Sequence, residues 1–287
     1  MLTTRLWMGA VLIALAVGML VFDQHLAPVY PFLFVFQLTL SLAACVEIIS
    51  LLGPNRRPQV VISLAGVTAM VVANWAGQRD TIGQTWLALI GCFTALHLAV
   101  FLWEMAWFTG PDRCTERMAL TWFILGYLGL LPCFFAQLRW LYEAGDPRAT
   151  TALALAIFVP KGCDIGAYFT GRLLGRHKMT PILSPKKTWE GAVGGLAFAV
   201  LIAIGIDRFS SRSVLGGCLP CQLIFGVLVG AAGMLGDLAE SLLKRDCQKK
   251  DASAAVPGFG GVLDVVDAVL FAAPVVYGCL YFGERTR

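Results

Sequence analysis

Apolar residues gather into nine long runs along this chain, at about 6–22, 29–52, 59–76, 84–108, 118–142, 150–171, 190–207, 219–240 and 262–283, with short polar segments between them. A helix crosses the hydrocarbon core of a bilayer in roughly 20 predominantly apolar residues, and it satisfies its own backbone hydrogen bonds as it does so. The runs have about that length, so the pattern predicts an all-α, polytopic transmembrane protein with about nine spans. The first run follows Arg5 and carries no clear small-x-small cleavage site, which marks it as an uncleaved span. No internal repeat or low-complexity linker divides the chain. Ionisable residues within the apolar runs concentrate in the second half. N-terminal transmembrane helices at 1–150 are therefore set apart from a candidate catalytic region of transmembrane helices at 151–287.

Composition supports the bilayer as solvent. Hydrophobic residues make up 58% and charged residues 14%, and the mean hydropathy of +0.75 lies far from soluble averages. A formal charge of +4, dispersed between apolar stretches, excludes the basic face that nucleic-acid binding requires. Cys45, Cys92, Cys133, Cys163 and Cys279 lie inside apolar runs and imply no disulfide framework. Cys218 and Cys221 form a C-x-x-C without a second ligand pair, so a structural zinc site is not expected there.

Charge also orients the spans. Alternate segments (the N-terminus, 53–58, 109–117, 172–189 and 241–261) hold 14 of the Lys and Arg residues, and the intervening ones hold 6. The positive-inside rule then predicts a cytoplasmic N-terminus, cytoplasmic basic loops at 172–189 and 241–261, and a C-terminus on the opposite side.

Charged residues within a span cost about 2.5–3.5 kcal/mol each at its centre, so they usually serve a site. Lys161 and Asp164 share a helical face, and either an ion pair or a direct substrate contact accounts for them. Ser184-Pro185-Lys186-Lys187-Thr188-Trp189-Glu190-Gly191 places two cations and two hydroxyls before a helix start. Such a place suits phosphate, or simply anionic lipid and topology. In 233–267, Asp237 and Glu240 lie at i and i+3 near the end of the eighth run, and Asp264 and Asp267 lie at i and i+3 at the start of the ninth. Four carboxylates brought together would repel unless a hard cation bound them, and oxygen donors beside phosphate suit Mg²⁺. Gly258, Gly260 and Gly261 permit the close approaches that phosphate-cradling loops use. Gly226 and Gly230 form a G-x-x-x-G suited to close helix packing.

The segment from Ser241 to Asp267 resembles the signature of the phosphatidate cytidylyltransferase family. The resemblance rests on Ser241, Lys244, Arg245, Lys250, Asp251, Pro257, Gly258, Gly260, Gly261, Asp264 and Asp267. It continues upstream through Lys161, Asp164, Ala167, Tyr168, Gly171, Ser184 to Thr188, and Glu190-Gly191, and so covers about 160–275. Phe259 stands where the family often has His, Val265 where it has Arg or Asn, and Ala268 where it often has Ser. The resemblance implies attack by a phosphatidate oxygen on the α-phosphorus of CTP, with Mg²⁺ on Asp237, Asp264 and Asp267, and with Lys244 and Arg245 among the catalytic groups. Lys161, Asp164, Ser184, Lys186, Lys187, Thr188, Ser241, Lys250 and the three glycines would bind substrate. The expected partners are CTP, phosphatidate and membrane lipid, with a homodimer as the candidate assembly and the active site facing the cytoplasm. A CTP-dependent polyprenol or isoprenoid-alcohol kinase and a membrane transporter are the alternative readings.

Overall fold

The computed structural model describes residues 2–54, 56–77, 82–110, 112–258 and 260–285. Nine helices account for almost all of it: α1 (Leu2–Gln24), α2 (Pro31–Leu52), α3 (Val60–Ala76), α4 (Ile82–Ala106), α5 (Cys114–Gln137), α6 (Pro147–Leu174), α7 (Trp189–Phe209), α8 (Leu219–Asp246) and α9 (Val262–Arg285). Eight are long and apolar enough to cross a membrane. The ninth, α3, has 17 residues, about 25 Å at 1.5 Å per residue, which is short of a 30 Å hydrocarbon core. The all-α, multi-pass expectation holds, with one addition. Inside the basic segment before α7, β1 (Lys178–Thr180) and β2 (Ser184–Thr188) pair as a small antiparallel hairpin.

One boundary differs from the apolar runs for a physical reason, and two helices carry internal irregularities. The fifth helix ends at Gln137, five residues before the apolar run does, and leaves Arg139 in the following turn instead of inside a span. There the guanidinium is 1% exposed, donating to Thr150 Oγ1 (2.7 Å) and to the Leu20 carbonyl (3.2 Å) and lying 4.7 Å from the Tyr30 ring centre. The same helix passes through a π-helical turn at Leu125–Leu130, a wider winding that re-aims side chains and recurs at functional sites. In α6, Pro160 sits mid-helix, where it removes one ladder hydrogen bond just before Lys161.

Cross-chain contacts show which helix ends lie together. At one end Arg56 meets Asp246 at 2.5 Å, the Lys249 ammonium donates to the Ser50 carbonyl at 3.1 Å, and Arg245 Nε donates to the Leu183 carbonyl at 3.3 Å. At the other, Gln24 donates to the Gly145 carbonyl at 3.3 Å and Arg148 meets Glu284 at 3.3 Å. The alternation required by the charge count is therefore present in three dimensions, with the segments at 53–58, 172–189 and 241–261 sharing one end.

Helices in lipid gain little from hydrophobic burial and associate through close packing of small residues. The bundle α6–α9 follows that rule. Ala149, Ala152 and Ala156 of α6 are buried, and a methyl group on Gly226 or Gly230 of α8 would come within 2.6 Å of Val200 Cα or 2.8 Å of Ala199 Cβ on α7. Large side chains such as Leu87, Ile90, Leu98, Leu102, Val193 and Leu201 point outward, an apolar surface suited to acyl chains.

Candidate active site

The last turns of α8 place Asp237, Glu240 and Lys244 on one face, at i, i+3 and i+7. The first turns of α9 present Asp264 and Asp267, α6 contributes Lys161 and Asp164 directly after Pro160, and β2 contributes Lys187. These four elements meet at the end of the bundle that carries the basic segments.

Asp237, Glu240 and Asp267 each offer a carboxylate oxygen, and the three oxygens lie within 4.8 Å of one another. Lysines surround them. Lys187 meets Asp237 at 2.6 Å, Lys161 meets Asp267 at 3.0 Å and Asp164 at 4.0 Å, and Lys244 meets Glu240 at 2.7 Å. Counting Asp164 and Asp264 with these, five carboxylates face three ammonium groups, a formal excess of two negative charges. Among the described residues Glu240 Oε1 is buried without a hydrogen-bond partner, a costly state for a polar oxygen that a bound cation would relieve. Hard oxygen donors, a charge of minus two and an orphaned oxygen fit one divalent metal ion.

Asp264 stands outside that oxygen triad. Its Oδ1 accepts from Lys244 at 2.6 Å, and its Oδ2 accepts from the amides of Gly261 at 2.7 Å and Ala252 at 3.1 Å. Lys244 thus bridges Glu240 to Asp264, and Asp264 closes the loop ahead of its own helix. Glu240, and not Asp264, is the third carboxylate within 4.8 Å of Asp237 and Asp267.

The remaining residues fall into three groups. Thr188 caps α7, its hydroxyl accepting from the Gly191 amide at 3.1 Å, and Arg245 ties α8 to the hairpin and to the Lys249 carbonyl at 3.2 Å. Lys186 and Lys250 are exposed, and Ser184 and Ser241 are half-buried. Gly258 and Gly260 take left-handed backbone (φ 85° and 108°), but Gly260 exchanges both backbone hydrogen bonds with Val256 and Gly261 gives its amide to Asp264. Phe259 lies outside the described residues; the Ala268 amide donates to Asp267 Oδ1 at 2.6 Å.

Two polar groups from the first half of the chain also reach this region without a sequence expectation. Glu47 of α2 binds the segment leading into α9, and the buried Tyr127 hydroxyl, in the π-helical turn, has no hydrogen-bond partner among the described residues. Both stand in apolar runs, where the cost of a polar group was a readable signal.

A multi-pass membrane protein with a lysine-lined carboxylate cluster at one end of its helices is the class that this fold and site define. The chain belongs to the Cytidylyltransferase family, whose profile matches residues 3–282. It is similar to phosphatidate cytidylyltransferases of Helicobacter pylori (32% identical over 248 residues, 77% of this chain and 91% of that one) and Synechocystis sp. (36% over 268 residues, 82% and 86%). A third, from Haemophilus influenzae, is 38% identical over 148 residues, a match spanning 51% of each chain, about half the length of that relative.

Proposed function

We propose that this protein is a CTP:phosphatidate cytidylyltransferase that forms CDP-diacylglycerol and pyrophosphate at the cytoplasmic membrane surface. The carrying observation is the cluster itself: three carboxylates within 4.8 Å, each held by a lysine, with Asp164 and Asp264 beside them adding a formal excess of two negative charges, in a chain of the Cytidylyltransferase family. Residues 151–287 form the catalytic region, with Lys161 and Asp164 to Asp267 at its site, and residues 1–150 are the N-terminal transmembrane helices.

A phosphate monoester has its second pKa near 6, so at neutral pH the phosphatidate oxygen is already largely ionised and needs no strong base. That oxygen forms a bond to the α-phosphorus of CTP, and the bond to the β-phosphate bridging oxygen breaks with its electrons leaving on pyrophosphate. The work left to the protein is positioning and charge neutralisation. Mg²⁺ is the cation these donors favour; Asp237, Glu240 and Asp267 would hold it, with Asp264 anchored alongside through Lys244, and it would supply charge neutralisation for the phosphates. Lys161 and Lys187, which pair with Asp267 and Asp237, would be free to turn toward phosphate oxygens once those carboxylates were otherwise neutralised. Lys186, Lys244 and Arg245 add positive charge beside the leaving pyrophosphate, and Ser184, Ser241, Lys250 and the glycine loop border the site.

Purified protein given phosphatidate, Mg²⁺ and labelled CTP should yield labelled CDP-diacylglycerol and one pyrophosphate per turnover. Release of CDP would point instead to a CTP-dependent lipid kinase. Solute flux into liposomes without CTP consumption would point to a transporter.

A further inference from the structure

We propose that Glu47, on α2 and outside the acidic cluster, is a positioning residue that sets where α9 begins and so holds Asp264 and Asp267 in place; this rests on the cytidylyltransferase reading of that cluster. The Glu47 side chain is 5% exposed and lies more than 200 residues from its partners in sequence. Its Oε1 accepts from the Ser253 hydroxyl at 2.6 Å and from the Val262 amide at 2.8 Å, and its Oε2 accepts from the Leu263 amide at 2.8 Å. Val262 and Leu263 are the first two residues of α9, whose opening amides have no partner within their own helix.

Among the described residues no lysine or arginine pairs with Glu47. Ala44 and Ile48 on its own helix belong to one buried apolar cluster with Ala252 and Leu263. A buried carboxylate that meets only neutral donors is held by the positive end of a helix, and the helix is held by the carboxylate in return. Gly261 belongs to the same device. A methyl group there would lie 2.6 Å from Glu47 Oε2, so glycine leaves room for the carboxylate to reach the helix start. Its own amide meanwhile goes to Asp264 at 2.7 Å. Asp264 and Glu47 therefore hold consecutive amides, 261 through 263, at the turn that leads into the helix carrying Asp267.

The test compares Glu47→Gln, Glu47→Ala, Gly261→Ala and the Glu47→Ala/Gly261→Ala double variant with the parent. Asp146→Ala, which removes a helix cap at the opposite end of the bundle, serves as a control for general destabilisation. Amide exchange at Val262 and Leu263 should accelerate at least tenfold in Glu47→Gln while α6 and α7 exchange as in the parent. The Mg²⁺ concentration for half-maximal activity should rise about tenfold and kcat fall by a similar factor, with KM for phosphatidate unchanged. Asp146→Ala should move neither the Mg²⁺ midpoint nor exchange at 262–263 at matched thermal stability. Gly261→Ala should mimic the loss in the parent background and cost little once Glu47→Ala has made room. Exchange at 262–263 unchanged in well-folded Glu47→Gln, a Mg²⁺ midpoint that tracks stability as in the control, or additive behaviour of Glu47 and Gly261 would each overturn the proposal. A parent protein without cytidylyl transfer would sink the functional reading instead, and the exchange data would still decide whether Glu47 fixes the start of α9.

Discussion

The ammonium of Lys161 on α6 lies 3.0 Å from Asp267 on α9, nearer than its 4.0 Å separation from Asp164 one turn along its own helix. What a sequence presents as an i,i+3 pair within one span is thus a tie between two spans. It fixes the helix that carries Asp264 and Asp267 against the helix that contains Pro160.

Removing that tie should be felt as both lost order and lost activity. Lys161→Met leaves Asp267 buried without its cation; a fully buried broken pair costs roughly 3–5 kcal/mol, and less is expected here because the lysine side chain is 33% exposed. Thermal unfolding in detergent should show a clear loss of stability without Mg²⁺ and a smaller one with saturating Mg²⁺, since a divalent cation on Asp267 replaces the missing charge. A deficit that ignores Mg²⁺ would separate Asp267 from the metal site.

The two ends of the bundle should face opposite sides of the membrane. Probes at Lys187 and Lys250 are expected to label only from the cytoplasmic side, and a reporter after the last residue only from the other, because the basic segments are gathered at one end by Arg56–Asp246 and Arg245–Leu183 contacts. Labelling of Lys187 and the C-terminal reporter from the same side would break the alternation.

Much of this arrangement is legible in the sequence because the bilayer demands so much of it. Apolar length marks the helices, and lysine and arginine counts separate the two ends. Spacing by three puts Asp237 with Glu240 and Asp264 with Asp267. Spacing within a helix says nothing of how one helix is rotated against another, so it does not reveal that Glu240 comes within 4.8 Å of both Asp237 and Asp267. Hydropathy runs on past Gln137 through Leu138, Trp140 and Leu141, while the helix stops there because Arg139 finds its partners in Leu20, Tyr30 and Thr150, all distant in sequence or across a turn. The hairpin of β1 and β2 is too short for its pattern to stand out from a basic loop. Glu47 was findable by the rule that exposes Asp264: both are acids in apolar runs, but Glu47 lies in the half of the chain where no motif draws attention.

Asp146, between α5 and α6 and outside the spans, should give stability a pH dependence at the end of the molecule away from the cluster. Burial pushes its carboxyl up, but the Arg148 side chain at 3.0 Å, the Arg148 amide at 2.8 Å and the nearby Arg212 outweigh this and hold it below the usual range. A carboxyl lowered on folding contributes its full stabilisation above its unfolded value, about 3.9, and loses it as pH falls through the folded value. Unfolding followed from about pH 6 to pH 3 should therefore show stability declining at the acid end, with a shallower decline in Asp146→Asn, which keeps the capping oxygen and removes the charge. Identical acid profiles would mean that Asp146 does not titrate differently on folding.

Asp264 and Asp267, three residues apart on one helix, are predicted to fail in different ways when each is changed to Asn. Both substitutions preserve size and remove a charge, and both should lower CTP-dependent cytidylyl transfer by roughly 10² or more, the scale of a lost electrostatic stabiliser. Asn is cheaper than Asp within an apolar helix, so both variants should insert and purify like the parent. Asp267 shares the oxygen triad with Asp237 and Glu240, and its loss should raise the Mg²⁺ requirement and be partly restored by excess Mg²⁺. Asp264 grips Lys244 and the amides of Ala252 and Gly261, so its loss should loosen the glycine segment and lower kcat in a way that added Mg²⁺ does not repair. Amide exchange across 252–261 gives the second readout, faster in Asp264→Asn and unchanged in Asp267→Asn. Near-parental transfer with parental Mg²⁺ dependence in either well-folded variant would take that aspartate out of the site, and a shared response to Mg²⁺ would show that the two carboxylates serve one metal together.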